Sequence, residues 1–201
     1  FYLTYLIFSL ITDYLHILYI SGLGDKFDPW RKRLLRCWSI YGVTTELVSM
    51  DWEDSRSYDK KFARLSTAID RAKDKRVVLI GESAGGSVVL NMYAARPNDL
   101  HKVMTLCGKN SHPENVSPHL YVKHPAFKTS IAQIEASARK LTLDQRKRFV
   151  SIHPLYDPLV YVSNTLIPDC REVRVWSVGH FSSIIIALTL LSWVIVREAK
   201  R

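Results

Sequence analysis

Residues 77–86 read Val-Val-Leu-Ile-Gly-Glu-Ser-Ala-Gly-Gly, and a helix-forming stretch at 87–96 follows directly. The apolar, β-branched start predicts a buried strand. The segment 81–85 has the pattern G-x-S-x-G, which predicts a sharp strand-to-helix turn that holds Ser83 in a strained backbone conformation with its hydroxyl exposed. Side chains at the two glycines of this pattern would collide across the turn. The stretch therefore predicts an α/β fold with a nucleophilic serine.

Strand-like and helix-like segments alternate on both sides of this turn. The spacing predicts strands at 14–20, 43–50, 76–80, 102–107, 149–153 and 172–176, and helices at 28–38, 57–72 and 84–95. Strands that alternate with helices form βαβ units. We therefore expect a mostly parallel sheet whose central strands are buried on both faces, as their apolar runs indicate.

The stretch 108–150 interrupts this alternation. Its first part, 108–129, contains three prolines and several polar residues and predicts an irregular excursion, followed by two short helices at 130–140 and 143–149. With 201 residues the chain is long enough for one sizeable core, so we expect a single domain over 1–201 with 108–150 as a small lid-like insertion.

A serine nucleophile needs a base and an acid that orients the base. His180 follows the last predicted strand, where a loop would aim its imidazole over the sheet edge, and is the candidate base. Asp157 lies just beyond the carboxyl end of a strand, the edge where catalytic groups collect in parallel sheets. Asp169 is a rival acid, closer in sequence to His180 but in a turn that leads into a strand. We favour Asp157.

The chain resembles the α/β-hydrolases from Tyr14 to its C-terminus, because their triad also runs serine, acid, histidine. The resemblance implies a three-layer sandwich, with a smaller sheet than many members have. It also implies an oxyanion hole made by backbone amides. These amides correspond to Ala84 and to the loop after the first strand, where we favour Leu23 as the donor and take Gly22 as the alternative.

Three aromatic residues are candidates for binding substrate in a shallow site: Trp30, Phe127 and Tyr156. Packing in the core explains them equally well. The expected partner is a small-molecule acyl substrate, and the sequence does not fix the oligomeric state.

The net charge of +9 is diluted by interleaved acids, so we interpret the basic stretches 31–36 and 60–76 as solvated helix faces and expect no nucleic-acid partner. The three cysteines are far apart, and the histidines lack a ligand spacing. We therefore expect no disulfide framework, no metal and no cofactor, and a reducing compartment such as the cytoplasm.

Both ends of the chain are apolar. The stretch 1–11 is shorter than a membrane-spanning helix, and 181–196 is close to that length. We favour a buried C-terminal helix for 181–196 and leave association with a membrane surface open.

These observations predict a serine hydrolase that cleaves an ester or related acyl bond. The alternatives are a thioesterase, acyltransferase or peptidase with the same triad, or a noncatalytic, membrane-associated binding protein of the same fold.

Overall fold

The computed structural model describes residues 15–201. Within them lies one six-stranded sheet in which all neighbouring strands are parallel, in the order β2-β1-β3-β4-β5-β6. The strands are β1 (Leu15–Ile20), β2 (Thr44–Val48), β3 (Arg76–Glu82), β4 (Lys102–Leu106), β5 (Phe149–Tyr156) and β6 (Arg171–Val178). The predicted parallel α/β architecture is confirmed.

Helices follow the strands as the alternation predicts. They are α1 (Asp28–Cys37), α2 (Tyr58–Arg71), α3 (Gly85–Ala95), α4 (Pro118–Lys123), α5 (Pro125–Ala132), α6 (Ile134–Lys140), α7 (Leu143–Arg148), α8 (Val162–Thr165), α9 (His180–Leu188) and α10 (Ser192–Lys200). Short 3-10 turns occupy Asp25–Phe27, Trp38–Tyr41 and Pro113–Asn115.

Helices cover both faces of the sheet, which makes three layers. All six residues of β1 are buried, because alternate side chains point into two separate hydrophobic clusters. One cluster packs α2, α3, α5 and α6 against the sheet, and the other packs α1, α9 and α10 against its opposite face. The apolar run of the central strands is thus explained by burial on both sides.

The prediction of an irregular segment over 108–129 is wrong for its second half, 118–129, which contains α4 and most of α5. Pro118 and Pro125 each occupy the first helical position. Proline is favoured there because its missing N–H has no acceptor in the first turn and its fixed φ suits a helix. Pro118 and Pro125, which suggested a loop in the sequence, are therefore the first residues of these two helices.

The C-terminal apolar stretch forms two helices rather than the single helix predicted. The chain bends by 69° between α9 and α10, and apolar side chains of both pack on the sheet. No single helix within 15–201 is long and apolar enough to cross a membrane, although the bent pair would be by length and composition. The apolar stretch 1–11 lies outside the described residues.

The prediction of solvated basic faces is wrong at two positions, Arg31 and Lys61, which are both buried. The Lys61 ammonium donates to the backbone carbonyls of Met50 and Asp51 and pairs with Asp54. A buried cation is tolerated only with such partners. Lys61 therefore fixes the loop that follows β2.

Candidate active site

Ser83 lies at the turn between β3 and α3, with a φ of 50°. This left-handed conformation is uncommon for a residue with a side chain. The turn is tight: a Cβ on Gly81 would lie 2.4 Å from the Gly85 carbonyl oxygen, and one on Gly85 would lie 2.5 Å from that of Ile20. Both glycines of the sequence pattern are therefore required by contact with backbone.

The structure brings Ser83, His180 and Asp157 together from three separate parts of the chain. The Ser83 Oγ is 2.9 Å from the His180 Nε2, and the His180 Nδ1 is 2.7 Å from the Asp157 Oδ2. Both distances are within hydrogen-bond range. His180 is the first residue of α9 rather than part of a loop, and the positive φ of Gly179 at 86° turns the chain into that helix.

Asp157 follows β5 and is only 1% exposed. Its second oxygen, Oδ1, accepts hydrogen bonds from the backbone amides of Leu159 and Val160, each at 2.9 Å. Burial by itself raises the pKa of this carboxyl. The hydrogen bond with His180 and the two amides outweigh burial, so that the pKa lies below its usual value. The carboxylate is therefore held ionised and fixed in orientation.

The rival acid, Asp169, does not face this site. It lies half-exposed in the turn before β6, with a φ of 63°, and its carboxylate is 3.6 Å from Arg146. Asp157, which directly follows β5, is therefore the acid that contacts His180.

The loop between β1 and α1 passes directly against Ser83. A Cβ on Gly22 would lie 2.9 Å from the Ser83 Cβ and 3.0 Å from the Glu82 carbonyl oxygen. Within residues 15–201, the amides of Leu23 and Ala84 donate to no backbone carbonyl. Two amide donors are thus left unpaired beside the serine.

Arg31 connects this loop to the strand that carries the serine. Its guanidinium pairs with both carboxylate oxygens of Glu82, at 2.9 and 2.5 Å, and donates to the Gly24 carbonyl at 3.0 Å. Asp28 accepts from the same guanidinium at 2.8 Å, and the Tyr19 hydroxyl donates to Glu82 at 2.7 Å.

The motif by itself does not predict this network, because Glu82 occupies an unspecified position of G-x-S-x-G and Arg31 lies in a stretch whose pattern predicts a solvated helix face. One signal was available: an acid at the end of a buried strand needs a cationic partner, because an unpaired buried charge is strongly unfavourable.

An open cavity of about 530 Å³ lies over Ser83 and His180. Its walls come from the β1–α1 loop, from the segment 109–127 and from α9. Of the three predicted aromatic residues, Phe127 lines the cavity and packs edge-on against Trp52, with ring centroids 5.9 Å apart. Trp30 and Tyr156 are partly exposed elsewhere and do not line it.

Two further residues line the cavity: Lys109, which follows β4, and Phe181, which follows His180. No pattern in the sequence marks either one.

Cys107, Asp157 and His180 each offer a metal-ligating atom within 4.8 Å of the others. The cluster does not suit a metal, because the His180 Nδ1 and the Asp157 Oδ2 already hydrogen-bond each other and the His180 Nε2 already bonds Ser83. Burial raises the pKa of the Cys107 thiol, and the carboxylates of Asp157 and Glu82 raise it further. The thiolate form is therefore disfavoured, and we assign no metal to this cluster.

No protein-family model and no curated protein matches the chain. Its fold is similar to that of several solved structures. Est1E from Butyrivibrio proteoclasticus has a TM-score of 0.67 at 14% identity, over 94% of this chain and 90% of that chain. A monoacylglycerol lipase from Paleococcus ferrophilus has a TM-score of 0.60 at 12% identity, over 92% and 93%. MGS-MChE2, an α/β hydrolase from a lagoon-sediment metagenome of Mar Chica, Morocco, has 0.60 at 14% identity, over 92% and 90%.

Proposed function

The chain has the α/β-hydrolase fold, and we propose that it is a serine hydrolase that cleaves a carboxylic ester through an acyl-enzyme. The observation that carries this proposal is the chain of hydrogen bonds from Ser83 through His180 to Asp157, which starts at a strained serine beneath an open cavity. Nucleophile, base and orienting acid are the three parts that acyl transfer needs.

In the first step the Ser83 Oγ attacks the ester carbonyl carbon while its proton passes to the His180 Nε2. Asp157 holds the Nδ1–H of the imidazole and stabilises the imidazolium. The carbonyl oxygen becomes an oxyanion, which the unpaired amides of Leu23 and Ala84 stabilise, with Gly22 as the alternative donor. The proton on Nε2 then passes to the departing alcohol oxygen, and an acyl-serine remains.

In the second step water attacks the acyl-serine. His180 takes a proton from the water as the water oxygen bonds to the carbonyl carbon. It then returns this proton to the Ser83 Oγ as the bond between that oxygen and the acyl carbon breaks and the acid leaves. The same donors stabilise the second oxyanion. The free enzyme is restored with one ester and one water converted into one acid and one alcohol.

An apolar acyl chain suits the cavity, because much of its lining is hydrocarbon. Leu23, Phe127 and Ile184 contribute to this lining. Such walls bind hydrocarbon and exclude water from the reacting carbonyl, which strengthens the electrostatic stabilisation of the oxyanion.

The test uses a fluorophosphonate probe and p-nitrophenyl butyrate on purified protein. We expect covalent labelling on the peptide that contains Ser83, and hydrolysis that falls by at least about 10⁴-fold in Ser83→Ala. Ser117→Ala is the matched control, because this serine also lines the cavity but is not bonded to His180. Its labelling should equal that of the wild type. Equal activity of wild type and Ser83→Ala would refute the proposal.

A further inference from the structure

Lys109 is a buried cation in the wall of the active-site cavity. It follows β4 and is only 3% exposed, and its backbone amide donates to the Ser83 carbonyl oxygen at 3.0 Å. The Lys109 backbone therefore lies beside Ser83, and its flexible four-carbon side chain extends from that point. No residue within 15–201 accepts a hydrogen bond from its ammonium group.

This ammonium differs from the other buried cations near the site. Arg31 is paired with two carboxylates, and Lys61 has two carbonyls and a carboxylate. For Lys109, burial lowers the pKa to about 8, and only the carboxylate of Glu114 acts in the opposite direction. Glu114 is exposed and hydrogen-bonded to His112. A buried charge without a partner is costly, and an anion in the cavity would remove that cost.

Two of the other charged side chains in the cavity lining are cations. Lys26 and Lys123 are exposed members of this lining, whereas Glu53 is the one acid there, among the described residues, that is not bound by an arginine. His124 also lines the cavity, and its Nδ1 is hydrogen-bonded to the backbone carbonyl of Trp52. The lining thus combines hydrocarbon surface with two exposed lysines and with Lys109, whose ammonium group has no hydrogen-bond acceptor among the described residues.

We propose that Lys109 binds a carboxylate carried by the substrate, so that the preferred substrates are esters with an apolar chain that ends in a carboxylate. This inference rests on the proposed hydrolase function and narrows it to a substrate class. A charge-assisted hydrogen bond in a partly dry site favours the anionic ester over its neutral analogue by about 10- to 100-fold.

The kinetic test compares two matched pairs of esters. Monomethyl adipate and methyl hexanoate differ by a carboxylate on the acyl side, and 5-acetoxypentanoate and pentyl acetate differ by one on the alcohol side. For at least one pair we expect the anionic ester to have a kcat/KM about tenfold or more above that of the neutral ester. The pair that shows the preference identifies the side of the ester that faces Lys109.

Lys109→Met should reduce this ratio at least about tenfold, mainly through the KM of the anionic ester, and should affect the neutral ester less than the anionic one. Lys123→Met is the matched control: its ammonium is exposed at the same cavity, so solvent screening limits its effect on the ratio to about threefold or less. A ratio near one in the wild type, or equal effects of the two variants, would overturn the inference while hydrolysis of the neutral esters would still support the proposed function.

Two measurements decide the inference without the Lys109→Met variant, and the second of them does not need turnover. In the wild type, the ratio should fall as pH rises through about 8, because Lys109 then loses its proton; a ratio that is constant between about pH 6.5 and 9.5 would refute the inference. In calorimetric titrations, Ser83→Ala should bind monomethyl adipate or 5-acetoxypentanoate at least about tenfold more tightly than the matching neutral ester. Equal affinities would refute it even if no ester were hydrolysed.

Discussion

Arg31 and Glu82 form a buried ion pair directly beneath Ser83, with Nε to Oε2 at 2.9 Å and Nη2 to Oε1 at 2.5 Å. Glu82 precedes Ser83 on the strand, and Arg31 also holds the Gly24 carbonyl of the neighbouring loop. The pair therefore fixes the distance between the serine and the loop whose amides would bind the oxyanion. Arg31 acts through that loop and is a positioning residue.

Glu82→Gln should break this pair and leave the guanidinium partly unpaired. Removing one member of a buried ion pair costs about 3–5 kcal/mol, which denaturant unfolding will measure. In the protein that remains folded, a displaced loop should lower kcat for a short neutral ester by about tenfold or more, with little change in KM.

The control for Glu82→Gln is Arg33→Met, because Arg33 is an exposed cation on α1, the helix that also holds Arg31. It should change stability by less than about 0.5 kcal/mol and leave kcat unchanged. A destabilised Glu82→Gln protein with an unaltered kcat would show that the pair serves only the fold.

Gly22→Ala should lower activity more than stability. The new Cβ would lie 2.9 Å from the Ser83 Cβ and 3.0 Å from the Glu82 carbonyl oxygen, so the loop must move away from the serine. We expect kcat to fall by about 10²- to 10³-fold, the effect of losing one oxyanion donor. Assays with p-nitrophenyl butyrate and circular dichroism of the same sample will separate the two effects.

Gly42→Ala provides the contrast, since a Cβ there meets no atom within 4 Å although the φ is 69°. It should destabilise the protein by about 1 kcal/mol through backbone strain and leave kcat unchanged. Equal losses of activity in the two variants would contradict a specific role for the Gly22 loop.

Asp157→Asn should lower kcat by about 10⁴-fold, because the amide cannot hold the imidazole in the tautomer that accepts the serine proton. Asp169→Asn should have no comparable effect, as that side chain contacts Arg146 instead. Steady-state kinetics of both variants decide between the two acids. A larger loss in Asp169→Asn would reverse the assignment.

The Asp157 carboxylate should also stabilise the fold in a pH-dependent way. Its pKa is lower in the folded protein than its usual value, so its contribution is fully present above the unfolded pKa of about 3.9 and is lost as pH falls through the folded pKa. The difference in the free energy of unfolding between wild type and Asp157→Asn should therefore be constant above about pH 5 and shrink below about pH 4. Urea titrations along a pH series will test this, and a difference that grows on acidification would contradict it.

Lys109→Met should stabilise the protein in the absence of any ligand. Methionine fills a similar volume, and the variant removes a buried ammonium that has no acceptor within residues 15–201. We expect a gain of about 1–3 kcal/mol near neutral pH. Because the pKa of Lys109 is lowered to about 8, wild-type stability should rise between pH 8 and the unfolded pKa of about 10.4, and the advantage of methionine should diminish there.

Thermal unfolding of both proteins at neutral and alkaline pH measures this advantage. Lys123→Met, which removes an exposed ammonium, should be close to neutral in stability. A loss of stability in Lys109→Met at neutral pH would indicate that the ammonium is satisfied within the folded chain.

The turn around Ser83 could be predicted from the sequence because both of its glycines are visible in the chain. The requirement for Gly81 is local, since a Cβ there would meet the Gly85 carbonyl, whereas the requirement for Gly85 comes from the neighbouring strand β1, whose Ile20 carbonyl a Cβ would meet. The parallel sheet could be predicted for a similar reason, since burial on both faces leaves an uninterrupted apolar run in each central strand. Ser83, Asp157 and His180 could be selected as candidates because each of them follows a predicted strand, and strand ends meet at one edge of a parallel sheet.

The tertiary structure decided what depends on contacts between distant segments. Arg31 and Glu82 are separated by 51 positions, and the charge of each gives no sign in the sequence that the other neutralises it. The same holds for Lys109, whose burial and lack of an acceptor appear only once the segment 109–127 has packed over the site. Side-chain chemistry along the chain determined the candidate nucleophile, base and acid. Packing decided which charges surround them, because the energy of a charge depends on its surroundings and not on its place in the sequence.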